Sequence, residues 1–382
     1  MGERDLEHRE AQPFDYAPYS EPLAIERLRA RGIDPENLEY AFDIEREEDN
    51  AKQEIPADIF WVRFKKPTDG QATDCESVEG KLYIPKTNGN NELILFTPGF
   101  PGGNAGRFEQ LYAKTFIDNG YTFFTVRHNG SSVSKLDTAQ EIINNQKRLT
   151  LAKQHEETHI GGTLHDGYSP VSIVKEPITP LLALQANSKA IHLMGQSMGV
   201  AASYQALTRM AEHYPAVAEK IQHVVGIAGY VGGVEGTEGE QWDGMKMPMQ
   251  QASEYEMGYI KKVDTNTVQS PEEFRDAMRK VAALNEQIVV PEHVASVLVF
   301  TPDDPLIAGP DKSREEAVFN YGPKTNRKLI IRDESNLGAA RAHSMLWIKP
   351  ENLLRAVRTK LSGHGPHYIK VPNVGKGLLE KG

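Results

Sequence analysis

Two groups of residues in this 382-residue chain have types and spacings that catalysis can use. The first is the stretch GQSMG at residues 195–199, in which glycines flank Ser197. A serine hydroxyl becomes a strong nucleophile when a histidine takes its proton and a carboxylate orients that histidine. The second is HEETHIGGTLH at residues 155–165, whose three histidines suit a zinc ion and whose first glutamate suits a general base. The two groups imply different chemistry, because a serine forms a covalent intermediate whereas a zinc ion activates water.

The serine lies between a predicted strand and a predicted helix. Residues 190–195 (AIHLMG) form a short apolar run, and residues 200–214 (VAASYQALTRMAEHY) have a helical pattern. A serine on so tight a turn projects its hydroxyl above the sheet, and glycines beside it avoid collisions with the neighbouring strand and helix. The first turn of the helix also places backbone N–H groups where they stabilise negative charge.

Strand and helix patterns alternate along most of the chain, which predicts an α/β fold. The last six strands are continuous apolar runs, as expected for a doubly wound, mostly parallel sheet covered by helices on both faces. The predicted strands are 58–65, 81–85, 92–98, 121–127, 190–195, 223–229, 296–301 and 328–333. The predicted helices between and after them are 107–120, 176–186, 200–214 and 350–361.

With these elements in place, residues 58–362 resemble the α/β-hydrolase family, in its members that carry a Ser-Asp-His triad. In that order of elements, the acid and then the histidine each follow a strand. The resemblance implies Asp304, in the turn after strand 296–301, as the acid, with Asp303 as the alternative. It implies His343, ahead of the last predicted helix, as the base. Two other histidines, His364 and His367, compete for that role but lie in the polar tail.

The same resemblance implies an oxyanion hole made of the backbone N–H groups of Phe100 and Met198. Related enzymes have a His-Gly-x turn after the corresponding strand, where this chain has Pro98-Gly99-Phe100. Gln196 and Ala342 are further departures from the family's pattern, and Pro98 and Gln196 leave the backbone donors intact. His128 follows strand 121–127 at the same predicted sheet edge, and we expect it to have a structural or substrate-shaping role.

Two long connections interrupt the alternation, at residues 128–178 and 230–294. In the second, Ser270, Pro271 and Glu273 form a capping box with proline in the first turn, which predicts a helical lid over the ligand-binding edge. Its methionines either line an adaptable apolar pocket or belong to an ordinary core. The predicted organisation is an acidic N-terminal extension with a helix (1–57), a hydrolase core (58–229 and 295–362), the lid (230–294) and a polar tail (363–382).

The zinc-type stretch fits this organisation poorly. The helix that would carry His155, Glu156 and His159 is mostly polar, whereas an active-site helix needs an apolar face. A zinc site that also includes His165 leaves the serine elements and the four later strands unexplained. A zinc-dependent metalloprotease therefore stays the alternative function, and a non-catalytic binding protein on the same scaffold is a third.

The composition of the chain limits the classes of partner and substrate that we expect. The net charge is −10, and residues 1–55 contribute −9 of it through 7 Lys/Arg and 16 Asp/Glu, so the rest is nearly neutral. No basic surface for nucleic acid is predicted, and a neutral body favours a small, uncharged or apolar acyl substrate.

Cys75 is the single cysteine, which excludes an intrachain disulfide. Without a signal-like start or a membrane-length apolar run, the chain is predicted to be cytoplasmic. The resulting hypothesis is a carboxylesterase or lipase-like serine hydrolase that needs no cofactor or metal, in an undetermined oligomeric state.

Overall fold

The computed structural model describes residues 21–43, 55–68, 70–72, 74–99, 105–128 and 170–229, parts of 280–300, residue 304, residues 326–332, parts of 354–357 and residues 368–370. The strands in these ranges are β1 (Leu38–Asp43), β2 (Ala57–Phe64), β3 (Val78–Pro85), β4 (Glu92–Thr97), β5 (Thr122–Arg127), β6 (Ala190–Gln196), β7 (Ile221–Ile227), β8 (Ala295–Phe300), β9 (Asn326–Arg332) and β10 (Tyr368–Lys370). The α-helices are α1 (Pro22–Ala30), α2 (Ala105–Asp118), α3 (Pro170–Ile173), α4 (Ile178–Leu184), α5 (Met198–His213) and α6 (Pro215–Ala218).

The ten described strands form one mixed, mostly parallel sheet. Their order is β1-β2-β3-β5-β4-β6-β7-β8-β9-β10. The pairs β1–β2, β2–β3 and β3–β5 are antiparallel, and every pair from β5 to β10 is parallel. This confirms the α/β fold class, and each of the eight predicted strands is present with its ends shifted by at most a few residues. Strands β1 and β10 were not predicted.

Helices cover both faces of the sheet, as strand β4 illustrates. Leu93 and Leu95 pack in one core with side chains of α1, α4 and α5, while Ile94 and Phe96 pack in a second core with α2. Successive side chains of a strand point to opposite faces, so a strand with a core on each side must be apolar at every position. Most side chains of the two cores are fully buried. The burial of this apolar surface is the main source of the protein's stability.

Helix α1 attaches the N-terminal segment to the sheet. It begins at Pro22 with Glu21 as its N-cap residue, and Gly32 follows its last turn at φ 81°. Ala24 and Leu28 are fully buried, whereas Leu23 is 62% exposed.

The guanidinium groups of Arg27 and Arg31 each lie 2.7 Å from a carboxylate oxygen of Asp58 on β2. Strand β1 then pairs with β2, so this segment extends the antiparallel end of the sheet.

Most of the predicted lid lies outside the described residues. The helices that the structure does describe include none long and apolar enough to cross a membrane.

Candidate active site

Ser197 occupies a one-residue turn between β6, which ends at Gln196, and α5, which begins at Met198. Its backbone has φ 52° and ψ −120°, a conformation that a residue with a Cβ adopts only under strain. The turn is held on both sides: the Ser197 N–H donates to the Ile227 carbonyl of β7 at 2.8 Å, and the Val200 N–H donates to the Ser197 carbonyl at 3.0 Å. The sheet and the helix thus impose the strained conformation together.

The glycines that flank Ser197 are required by close backbone contacts, as predicted. A Cβ on Gly195 would lie 2.1 Å from the carbonyl oxygen of Gly199, and a Cβ on Gly199 would lie 2.0 Å from the carbonyl oxygen of Thr97. The first contact is strand against helix, and the second is helix against the neighbouring strand β4. Any larger residue at either position must push apart the elements that hold the serine.

The first turn of α5 provides positive electrostatic potential beside the serine. Met198 is the first residue of this 16-residue helix, and the first four N–H groups of a helix have no acceptor within it. Together with the helix dipole they favour a negative charge near this end. The oxyanion role of the Met198 N–H itself stays a prediction.

The turn after β4 lies directly against the serine side chain. A Cβ on Gly99 would be 2.6 Å from Ser197 Cβ and 3.2 Å from Ser197 Oγ, so only a glycine allows this approach. Phe100, whose N–H is the second expected donor, follows at once but lies outside the described residues. The predicted turn therefore lies beside the serine, and the role of the Phe100 N–H as a donor stays a prediction.

Two interactions fix helix α2, which follows that turn. The ring of Phe96 stacks on that of Phe108 with a centroid distance of 3.7 Å. At the next residue, the buried Glu109 carboxylate contacts Arg127 at 2.5 Å and Lys81 at 3.0 Å. Burial raises the pKa of Glu109, but the charges of Arg127 and Lys81 outweigh it and hold that pKa below its ordinary value. A charged carboxylate thus ties α2 to β3 and β5 close to the site.

Asp304 is fully buried four residues beyond the end of β8. Strand β8 is separated from β6 by β7 alone, and the carboxyl ends of these parallel strands share one edge of the sheet. A fully buried aspartate is rare unless it is paired or hydrogen-bonded, which fits a position inside a polar site.

The remaining predicted site residues are not described. His343, the alternative acid Asp303, the competing histidines His364 and His367, and the whole zinc-type stretch at 155–165 lie outside the described residues. In the ranges that are described, no cluster of three or more His, Cys, Asp or Glu side chains could hold a metal ion. Cys75 is buried, and burial raises the pKa of its thiol to about 11, so the thiol stays protonated and unreactive.

A buried His–Glu pair lies behind the Pro98-Gly99 turn. The Nε2 atom of His128 lies 3.0 Å from the Pro98 carbonyl oxygen, and its Nδ1 atom lies 2.5 Å from a carboxylate oxygen of Glu176. His128 is fully buried and Glu176 is 4% exposed. The sequence placed His128 at this edge, but Glu176 was missed because it comes from the segment between α3 and α4, 48 residues away.

No protein-family model matches the chain, and no curated protein matches its sequence. Solved structures do match over most of its length. One is the rice cell wall degrading esterase LipA from Xanthomonas oryzae, at 12% identity and TM-score 0.49, covering 87% of this chain and 100% of that one. A second is a putative hydrolase from Agrobacterium vitis S4, at 11% identity and TM-score 0.46, covering 84% of this chain and 98% of that one. A third is the Pyrococcus furiosus esterase Pf2001, at 11% identity and TM-score 0.45, covering 84% of this chain and 94% of that one.

A strained serine between a strand and a helix of a mostly parallel sheet is the defining turn of one architecture. The glycine contacts at 195 and 199 and the strand order around β6 have that form. The described sheet and turn have the form of the α/β-hydrolase fold, and the nucleophilic role of Ser197 stays a prediction.

Proposed function

We propose that the protein is a serine hydrolase that cleaves an acyl bond, with carboxylic esters as its favoured substrates. The observation that carries this proposal is the conformation of Ser197, held at φ 52° by β6, β7 and α5 with Gly99 against its side chain. Strain of this kind costs about 1–3 kcal/mol and persists where a function requires it. A strained serine beside a helix N-terminus is suited to attack a carbonyl and to receive the charge that develops.

In the proposed mechanism, Ser197 Oγ attacks the acyl carbonyl carbon while His343 accepts the hydroxyl proton. Asp304 orients the imidazole and stabilises its positive charge, and Asp303 is the alternative in that role. The N–H groups of Met198 and Phe100 donate to the oxyanion. His343 then protonates the leaving group, and water, activated by the same histidine, releases the acyl group and regenerates Ser197.

We further propose that residues 230–294 form a helical lid that shapes an apolar acyl pocket. The segment follows β7 and Gly229, and a Cβ on Gly229 would lie 2.4 Å from the Ser197 carbonyl oxygen. An insertion that leaves the sheet after Gly229 therefore follows a residue that packs against the candidate nucleophile. Its methionines, Met245, Met247, Met249 and Met257, suit a lining that adapts to different acyl chains.

The test is labelling by a fluorophosphonate together with hydrolysis of p-nitrophenyl acetate and butyrate. Ser197→Ala should abolish labelling and lower kcat by at least about 10³-fold, because the nucleophile is lost while binding remains. The matched control is Ser188→Ala, which removes another buried serine hydroxyl, bonded to the Leu184 carbonyl at the opposite edge of the sheet. That variant should keep full labelling and activity.

The zinc alternative is tested in the same assay. Glu156→Ala and treatment with a chelator such as 1,10-phenanthroline should leave activity unchanged if Ser197 is the nucleophile. Activity that survives Ser197→Ala but is lost with the chelator would overturn the proposal.

A further inference from the structure

The Pro98 carbonyl is in contact with two elements of the candidate site. His128 Nε2 lies 3.0 Å from this oxygen. Helix α5 also packs closely against it, since a Cβ on Gly199 would lie 2.7 Å from the same oxygen. Proline has no N–H group, so the carbonyl is the one backbone hydrogen-bonding group that residue 98 offers.

We propose that His128 and Glu176 are positioning residues for the oxyanion hole, a role that rests on the proposed function. The peptide between Pro98 and Gly99 is planar, so a fixed Pro98 carbonyl also fixes the Gly99 nitrogen and Cα. That Cα lies against Ser197, and the chain continues from it to the expected donor at Phe100. Glu176 fixes the imidazole, the imidazole fixes the carbonyl, and the carbonyl fixes the turn.

The count of hydrogens explains why Nδ1 of His128 needs a hydrogen-bonding partner. Nε2 must carry a hydrogen to donate to the Pro98 carbonyl, since a carbonyl oxygen only accepts. Nδ1 faces a carboxylate, and that contact is a hydrogen bond only if one proton lies between the two atoms. The carboxylate therefore keeps Nε2–H directed at the backbone, whichever of the two partners formally holds the shared proton.

Glu176 is itself held in place by its neighbours. Lys175 contacts the Asp74 carboxylate at 3.0 Å, and the Thr179 hydroxyl donates to the Glu76 carbonyl at 2.7 Å. The chain is thus attached to the loop before β3 on both sides of Glu176, by Lys175 before it and by Thr179 of α4 after it. A carboxylate on so well-supported a segment can locate the imidazole to within a fraction of an ångström, which oxyanion stabilisation requires.

The experiment compares Glu176→Met with Glu176→Gln. Methionine has a similar length but no hydrogen-bonding group for Nδ1. Glutamine restores the arrangement, because its amide N–H can donate to Nδ1 while Nε2–H still reaches the carbonyl. Active sites are counted by fluorophosphonate titration, so that unfolded protein does not contribute. The readouts are kcat and KM for p-nitrophenyl butyrate and the inhibition constant of a trifluoromethyl ketone, whose serine adduct carries the oxyanion.

For Glu176→Met we expect kcat per titrated site to fall by about 10–100-fold, with KM changed by less than about threefold. The inhibition constant should rise in parallel with the loss of kcat, and Glu176→Gln should stay within about threefold of the wild type. His128→Gln should behave like Glu176→Met, because a glutamine there cannot contact both partners. The control is Glu92→Met, which removes the carboxylate partner of His192 at 3.1 Å and should change none of these values.

Unchanged kcat per titrated site in Glu176→Met, with only a lower melting temperature, would overturn the inference and leave the pair as a structural contact. If Glu176→Met does not fold, Glu176→Asp, which withdraws the carboxylate by one methylene, is judged by the same criteria. Failure of the proposed function gives a different result, because the wild-type protein would then not be labelled at Ser197 at all.

Discussion

The parallel strands begin at one edge of the sheet (the amino edge) and end at the other (the carboxyl edge). Each edge contains a histidine in contact with a glutamate, but the second ring nitrogen of the histidine has a different partner at each edge. At the carboxyl edge, His128 contacts Glu176 and the Pro98 carbonyl beside the candidate nucleophile. At the amino edge, His192 contacts Glu92 at 3.1 Å, and its Nδ1 lies 2.9 Å from Nδ1 of His223. The same pair of side chains therefore fixes a backbone turn in one place and a second titratable ring in the other.

Backbone strain also differs between the two edges. The non-glycine residues with positive φ at the amino edge are Asn88 and Asn91, and asparagine tolerates that region well. At the carboxyl edge they are Ser197 and Ala228, which tolerate it poorly. Ligands of open α/β sheets bind at the carboxyl edge, and the strain in the described residues is concentrated there. The poorly tolerated backbone conformations therefore lie at the edge to which the proposed function assigns the reaction.

The largest effect on stability is expected for Gly199→Ala. The added Cβ would lie 2.0 Å from the Thr97 carbonyl oxygen and 2.7 Å from that of Pro98, and neither backbone group can move without displacing β4. We expect the free energy of unfolding to fall by about 3 kcal/mol or more, as measured by urea denaturation.

Gly89→Ala is the matched change at the amino edge, where an added Cβ would meet nothing within 4 Å. It should change stability by no more than about 0.5 kcal/mol. Equal effects of the two substitutions would show that the packing around Ser197 is no tighter than an ordinary loop.

The sequence predicts the parts of this structure that depend on local pattern. The eight predicted strands are continuous or nearly continuous apolar runs, and the serine turn is defined by glycines within two residues of it. Strand β1 was missed because its alternating apolar residues, Leu38, Tyr40 and Phe42, lie in a strongly acidic segment. Strand β10 has three residues and is defined by its pairing with β9, about 40 residues away.

The parts that the sequence does not predict depend on contacts between distant segments. Glu176 follows no recognisable motif, and its meaning comes from a histidine 48 residues earlier. The same holds for Glu109, whose charge is balanced by Lys81 and Arg127 from two different strands. The roles of His343, Asp304 and the donors Phe100 and Met198 remain predictions from the family resemblance.

An intermediate effect on stability is expected at the amino edge as the pH falls. Burial lowers the pKa of His223 to about 4, with a contribution from neighbouring His192, and burial also lowers the pKa of His192. Burial raises the pKa of Glu92, but its bonds to His192 and Lys189 outweigh this and lower it. Between about pH 6.5 and pH 4 the unfolded chain thus binds more protons at the two histidines than the folded chain does. The free energy of unfolding therefore decreases as the pH is lowered through this range.

The measurement is urea denaturation of the wild type and His223→Gln at several pH values from 8 to 5. Because His223 is partly exposed and solvent screens its charge, we expect the wild type to lose only about 1 kcal/mol more than the variant across this window. The kcat per titrated site of His223→Gln should stay at the wild-type value, as the comparison of the two edges requires. Parallel stability curves for the two proteins would contradict the proposed contribution of the amino-edge histidines.

A small stabilising effect, and the most direct measure of the difference in strain, is expected for Ser197→Gly. Glycine adopts φ 52° without steric cost, so relief of strain should stabilise the folded state. The greater freedom of glycine in the unfolded chain offsets part of that gain. We expect a net increase of about 1 kcal/mol in the free energy of unfolding, together with complete loss of fluorophosphonate labelling.

Two further variants isolate the cause of that gain. Ser197→Ala also lacks the hydroxyl but keeps the Cβ, so it should lose activity without becoming more stable. Asn88→Gly makes the corresponding change at φ 56° on the amino edge, where asparagine is already tolerated, and should gain less than about 0.5 kcal/mol. If Ser197→Gly is no more stable than Ser197→Ala, the turn stores no strain, and the conformation of Ser197 would lose its value as the sign of a functional serine.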